Sequence, residues 1–117
     1  MQQRTLGRTG IQVGEIGMGC EGFVGKTAEQ VMEMVDAMDA AGVRCIDLYT
    51  PNPDVRDHLG RALAGRRDRF VLQGHLGAVW KSGQYKRTRD MAEVREGFAD
   101  QLRRLGTDRL EIGMIHY

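Results

Sequence analysis

The chain has 117 residues, of which 17 are Lys or Arg and 16 are Asp or Glu, so its formal net charge is +1. With 41% apolar, 28% charged and 6% aromatic residues it has the composition of a globular domain, which excludes a disordered tail, a collagen-like repeat and a nucleic-acid binder that works by charge. No apolar run approaches the roughly 18 residues of a membrane span. The N-terminus lacks an apolar signal core, and Cys20 and Cys45 are too few for a disulfide framework. We therefore expect a single cytoplasmic domain with free thiols.

The first part of the chain predicts a small hairpin followed by a strand and a helix. Residues 3–14 contain two short extended segments around a glycine-bounded turn, and an apolar strand is expected at 16–19. Thr27 and Gln30 have the spacing of a capping box, and apolar residues then recur with helical period. Gly42 stands where a left-handed helix end belongs.

The same strand-and-helix pattern then repeats. Asn52 is expected to cap a second helix and Asp90 a third, and a long loop of basic and aromatic residues occupies 77–89. We expect that segment to be a solvated loop; the alternative is a site for an anionic substrate or a cofactor phosphate. The three predicted β/α units and the last strand cover residues 16–42, 43–65, 70–106 and 109–116.

Alternation of strands and helices predicts a parallel sheet with right-handed crossovers. Comparable strand ends at Gly19, Asp47, His75 and His116 lie 28, 28 and 41 residues apart, and a (β/α)₈ barrel averages about 31 residues per unit. A doubly wound sheet would alternate in the same way, but the first crossover lacks a G-x-G-x-x-G turn. The sequence therefore favours an α/β fold: the first half of a (β/α)₈ TIM barrel with an N-terminal β-hairpin, as a single partial domain over 1–117.

Four polar side chains are predicted to meet at the open end of this half-barrel. Because side chains alternate along a strand, Asp47 and Tyr49 share one face, and His75 and His116 end the next two strands. Active sites of barrels lie at this carboxyl end of the strands. A carboxylate beside two imidazoles is a workable proton relay, and Tyr49 offers a hydroxyl.

The segments RTLGRTGIQVGEIGMG, GVRCIDLY, LGRAL and LRRLGTDRLEIGMIHY together resemble the aldo-keto reductases over essentially the whole chain. The resemblance implies a barrel plugged by a hairpin, with NADP(H) across its open end. It also implies reduction of a small-molecule carbonyl compound, or the reverse oxidation of an alcohol, by hydride transfer. Neither nucleic acid nor a membrane is an expected partner.

The resemblance also assigns roles to particular positions, with a divergent set of four catalytic residues. Asp47 and His116 match the catalytic Asp and His, whereas His75 stands at the Lys position and Asn52 at the position of the proton-donating Tyr. Tyr49 is then the candidate for a replacement hydroxyl. Gly19 and Cys20 match early cofactor contacts. Most of the NADP(H) site would lie beyond residue 117, so we expect the chain by itself, as an N-terminal fragment, to bind the cofactor weakly.

Two other functions are compatible with the same residues. In the first, Asp47, His75 and His116 are ligands of a metal-dependent barrel enzyme, since two imidazoles and a carboxylate suit a facial metal site. In the second, the chain is a non-catalytic half-barrel that pairs with another chain. Four parallel strands leave two open sheet edges, which makes self-association a further expectation.

Overall fold

The computed structural model describes residues 1–115, and the two residues after them, including His116, lie outside that range. The elements in chain order are β1 (Gln3–Thr5), β2 (Gln12–Gly14), β3 (Gly17–Gly19), α1 (Ala28–Ala41), β4 (Cys45–Leu48), α2 (Pro53–Leu63), β5 (Val71–Leu76), β6 (Ala78–Lys81), β7 (Gln84–Arg87), α3 (Met91–Leu105) and β8 (Ile112–Ile115). Strands β1 and β2 form the predicted antiparallel hairpin. None of the helices in residues 1–115 is long and apolar enough to cross a membrane.

The main sheet has four strands in the order β3-β4-β5-β8, and all its neighbouring pairs are parallel. Sequential order with a helix in each crossover is the arrangement of consecutive strands in a barrel, which confirms the predicted half-barrel. The register places Asp47 beside both Gly19 and Gln73, and His75 beside Met114. Paired residues in parallel strands point to the same face, so these side chains share one side of the sheet.

The opposite face of the sheet carries the apolar core. Ile46, Leu48 and Leu72 are at most 1% exposed and pack in one cluster with residues of all three helices. Each such side chain contributes roughly 1.5–3 kcal/mol by leaving water. The polar face is therefore the one turned away from the helices, and it corresponds to the barrel interior.

The helices begin and end where the local sequence places them. The Thr27 hydroxyl accepts the Gln30 N–H at 3.2 Å and Gln30 Oε1 accepts the Thr27 N–H at 3.0 Å, so the predicted capping box of α1 is present. Asn52 Oδ1 accepts from the Asp54 and Val55 N–H groups at the start of α2. Gly42 ends α1 in the left-handed conformation, with φ at 78°.

The segment predicted as a solvated loop at 77–89 is instead a β-hairpin, and that prediction was wrong. Strands β6 and β7 pair antiparallel around Ser82 and Gly83, which have φ values of 53° and 75°. Two positive φ values at the centre of a two-residue turn match the twist of a hairpin. The hairpin packs on α3, where Val79 faces Gly97 so closely that a Cβ at Gly97 would lie 2.6 Å from Val79 Cγ1.

Candidate active site

The site is centred on a direct contact between Asp47 and His75. His75 Nε2 lies 2.6 Å from Asp47 Oδ1, and Gln73 Nε2 donates to the same oxygen at 2.9 Å. An ionised carboxylate only accepts hydrogen bonds, so His75 Nε2 carries a proton in this contact. The imidazole is 8% exposed and the carboxylate 36%, which leaves Asp47 accessible from the open end of the strands. The two strands thus hold an oriented carboxylate–imidazole pair.

Aromatic rings continue from this pair towards solvent. The Tyr49 ring meets the His75 ring edge-on, with centroids 5.2 Å apart and an angle of 88° between the planes. Tyr49 also stacks with Tyr85 of β7, with centroids 5.8 Å apart and an angle of 25° between the planes. A hydrogen bond with Tyr49 raises the pKa of Tyr85 above its usual value, while the charge of Arg87 opposes that rise. The consecutive contacts therefore run from the Asp47 carboxylate to the His75 imidazole, then to the Tyr49 phenol and finally to the Tyr85 phenol.

At the carboxyl end of β3, the backbone of Gly19 and Cys20 lies next to Asp47. Gly19 pairs with Asp47 in the register and is exposed, and Glu21 Oε2 lies 3.1 Å from where a Cβ at Gly19 would stand. The next residue, Cys20, is fully buried, and its N–H donates to the Asp47 carbonyl at 3.1 Å. Burial, with smaller contributions from Glu21 and Asp47, raises the Cys20 pKa far above its usual value. Cys20 can therefore present neither a thiolate nor an exposed side chain here.

The sequence-predicted residues fare differently in the structure. It brings together Asp47, Tyr49 and His75 and places Gly19 at their edge, whereas Cys20 points into the core. His116 lies outside the described residues. Within residues 1–115, no three His, Cys, Asp or Glu side chains are grouped so that they could hold a metal ion. The roles assigned to these residues stay predictions.

Sequence reasoning missed two side chains that belong to this cluster. Gln73 shares the inner face of β5 with His75, and the alternation of the strand already placed it there. Tyr85 lies in the segment taken for a loop. Its signal was the Ser-Gly dipeptide between two short extended runs, which marks a hairpin turn.

Comparison with known proteins agrees with this geometry. No family model matches the chain. It is 26% identical over 126 residues to the aldo-keto reductase YhdN of Bacillus subtilis, covering all of this chain and 38% of that protein. Among solved structures, the holo form of the aldo-keto reductase AKR11C1 from Bacillus halodurans superposes with a TM-score of 0.85 and 28% identity, over 99% of this chain and 40% of the other. An aldo-keto reductase from Klebsiella pneumoniae in complex with NADPH superposes with a TM-score of 0.65 and 26% identity, over 92% and 37%.

These matches confirm the predicted resemblance to the aldo-keto reductases and the half-barrel fold. The sequence similarity and the structural similarity extend over nearly the whole chain. The chain spans about two-fifths of the length of the relatives it matches. Whether this chain takes part in the activity of the complete relatives is therefore addressed as a proposal below.

Proposed function

We propose that the chain supplies the Asp47–His75 side of an aldo-keto reductase-type oxidoreductase site, which interconverts small carbonyl compounds and alcohols with NADP(H) in the cytoplasm. The observation that carries the proposal is the 2.6 Å contact between Asp47 Oδ1 and His75 Nε2 at the carboxyl end of the parallel sheet. The two residues stand at the positions that the resemblance gives to the catalytic Asp and Lys. A neighbouring hydroxyl, that of Tyr49, can donate a proton to a carbonyl oxygen and is neutral before the reaction, and its ring is the phenol in contact with His75.

Each residue has a definite task in this proposal. Asp47 fixes the orientation of the His75 ring through the 2.6 Å contact with Nε2, so that the imidazole stands beside the position of the reacting carbonyl group. Tyr49 holds the proton that passes to the carbonyl oxygen, and its T-shaped contact with the His75 ring positions the phenol. The exposed backbone at Gly19 fits a cofactor contact if the flexible Glu21 side chain moves aside, since Glu21 Oε2 lies 3.1 Å from where a Cβ at Gly19 would stand. The nicotinamide supplies the hydride when it is bound. His116 is assigned a further hydrogen bond to the carbonyl by the resemblance alone.

The direct test is NADPH-dependent reduction of simple aldehydes by the full coding product that contains residues 1–117. Asp47→Asn and Tyr49→Phe should each lower kcat by roughly 10²-fold or more, the usual loss when a positioned proton-transfer group is removed. Asp108→Asn, whose side chain is 90% exposed, is the matched control and should leave turnover unchanged. Turnover that survives both site substitutions would contradict the proposed roles.

A second test measures how tightly this chain by itself binds the cofactor. The 117-residue chain by itself should bind NADPH more weakly than micromolar, as followed by the change in NADPH fluorescence on titration. The reason is that the relatives it matches are about two and a half times as long, so the chain offers part of their binding surface. A micromolar dissociation constant for the isolated chain would contradict this expectation.

One observation supports a second candidate function, a half-barrel completed by another chain. Strands β3 and β8 are the two edges of the main sheet within residues 1–115. A groove beside β3 is lined by apolar groups of Met18, Phe23 and Met34, and Met34 is 45% exposed. Exposed parallel edges of this kind favour association. Light scattering on the purified chain distinguishes the candidates, since a monomer of 13.1 kDa at high concentration would speak against pairing.

A further inference from the structure

We propose that Tyr85 of the β6–β7 hairpin is a positioning residue for Tyr49, with its hydroxyl donating a hydrogen bond to the Tyr49 oxygen from which the proton leaves. The inference rests on the proposed function for its catalytic consequence. The hydroxyl pair itself can be tested without turnover. With this role for Tyr85, the β6–β7 hairpin becomes a part of the proposed active site. The sequence had predicted a loop there.

Aromatic contacts hold the rings of Tyr49 and Tyr85 in place. Tyr49 contacts the His75 ring at 5.2 Å in a T-shaped pair and the Tyr85 ring at 5.8 Å in a stacked pair. Both tyrosines keep more than a third of their surface exposed, at 37% and 39%, so neither phenol is sealed in the core. A substrate that enters at the open end of the strands can therefore reach the pair.

The hairpin that carries Tyr85 is anchored through its other face. Side chains alternate along β7, so Tyr85 lies on the face opposite to Lys86. Lys86 Nζ donates to both oxygens of Glu93 in α3 at 2.9 Å, and the Thr88 hydroxyl donates to Glu93 at 2.5 Å. Lys81 contacts the same carboxylate from β6. Because these contacts fix the strand, the Tyr85 ring loses little conformational freedom when it stacks on Tyr49. A positioning residue requires this.

The direction of the hydroxyl bond follows from the surroundings of the pair. The two rings stack with centroids 5.8 Å apart and planes inclined by 25°, and hydrogen bonding between the two side chains raises the pKa of Tyr85 above its usual value. Tyr85 is the donor of that bond in the proposed arrangement. From the sheet, His75 faces the pair and Asp47 reaches it through His75. From the hairpin, Arg87 adds positive charge near Tyr85. A phenolate formed on Tyr49 would thus have the Tyr85 hydroxyl and the His75 imidazole as neighbours.

The proposed step couples a hydride transfer to carbon with a proton transfer to oxygen. The substrate carbon gains a hydride from the reduced nicotinamide, and the electron pair of the carbonyl π bond becomes a bond from oxygen to the Tyr49 proton. The Tyr49 O–H bond breaks, and its electrons stay on the phenolate oxygen, which accepts the Tyr85 hydrogen bond. The products are the alcohol, the oxidised nicotinamide and a phenolate that regains its proton from solvent. A hydrogen bond made to a charged oxygen is stronger than one made to the neutral phenol, so Tyr85 stabilises the later state more than the earlier one.

The first experiment follows the three tyrosines individually by NMR of the 117-residue chain labelled at the phenol carbon, with assignment by Tyr→Phe variants. Tyr85→Phe keeps the stacked ring and removes the hydroxyl, and it should raise the Tyr49 ionisation midpoint by about one pH unit. Gln84→Ala, in the same strand at the hairpin turn, is the control and should leave that midpoint in place. An unchanged Tyr49 midpoint in Tyr85→Phe would overturn the proposal, whatever the chain does as an enzyme.

The second experiment uses the full coding product and measures its pH profile. Tyr85→Phe should lower kcat about tenfold with KM little changed, and should move the alkaline fall of the reduction rate to higher pH, because the Tyr49 proton is then held more tightly. A loss of kcat without any movement of the alkaline limb would show a merely structural role and would refute the assignment. If the NMR shift occurs but Tyr49→Phe keeps full turnover, the proposed function fails while the hydroxyl pair stands.

Discussion

Replacing Glu111 by Ala tests how the last strand of the main sheet is held. Glu111 precedes β8, and its N–H donates to the Leu72 carbonyl at 3.1 Å while its carboxylate accepts the Leu72 N–H at 2.7 Å. The same carboxylate makes two contacts with the Arg67 guanidinium, at 2.9 and 3.0 Å. The side chains of Glu111 and Arg67 are only 17% and 13% exposed. One carboxylate therefore joins the start of β5, the start of β8 and the half-buried Arg67 guanidinium.

The magnitude follows from what the substitution leaves without a partner. Removing one member of a buried ion pair costs about 3–5 kcal/mol, because the remaining charge stays desolvated. Arg67 keeps its bonds to Thr107 Oγ1, the Phe70 carbonyl and the Arg109 carbonyl, which reduces this to about 2 kcal/mol. The Leu72 N–H loses its acceptor at a further cost of about 1 kcal/mol. We expect Glu111→Ala to lower the free energy of unfolding by about 3 kcal/mol, and Glu111→Gln, which keeps an acceptor oxygen, by about half of that.

Urea unfolding followed by circular dichroism measures these differences, and the melting temperature of Glu111→Ala should fall by roughly 10 °C. Asp108→Ala is the matched control, since its carboxylate is 90% exposed and lies 3.5 Å from Arg109. A solvent-exposed pair of that kind contributes less than about 1 kcal/mol. Equal stabilities of Glu111→Ala and Asp108→Ala would refute the reasoning that this carboxylate holds the strand.

Three further substitutions test the capping, the helix contact and the hairpin. Thr27→Ala should lower the free energy of unfolding by about 1 kcal/mol in the same urea assay, since it removes the α1 cap, and Thr27→Ser should not. Gly60→Ala should lower the free energy of unfolding by about 1–3 kcal/mol although alanine favours helices, because the new Cβ would stand 2.2 Å from the Arg104 carbonyl oxygen. Gly22→Ala is its control, since a Cβ at Gly22 would meet nothing within 4 Å. Hydrogen bonds from Lys81, then Lys86 and Thr88, lower the pKa of Glu93 to about 2. A lowered carboxyl pKa stabilises the fold above its unfolded value of 4.5, so the stability advantage of the wild type over Glu93→Gln should be constant above about pH 4.5 and should vanish as the pH falls towards 2. Melting temperatures from pH 7 to pH 2 check this, and a gap that stays constant to pH 2 would contradict it.

The sequence determined the features that depend on near neighbours in the chain. The Thr27–Gln30 cap and the Asn52 cap arise from hydrogen bonds across two or three residues, so residue type and spacing suffice to predict them. Strand alternation likewise fixed that Asp47 and His75 face the same side once their strands pair in parallel. The regular spacing of the strands then gave the half-barrel, because each crossover needs a similar length of chain.

Only the tertiary structure decided which distant side chains meet. The hairpin escaped prediction because Ser82 adopts a positive φ that non-glycine residues seldom take, and because its strands are held by Glu93 of the following helix rather than by their own pattern. The stacking of Tyr85 on Tyr49 depends on where that hairpin docks. Periodicity reports which face of an element is buried, but contacts between elements follow from packing in three dimensions, and the stacking of Tyr85 on Tyr49 is a contact of that kind.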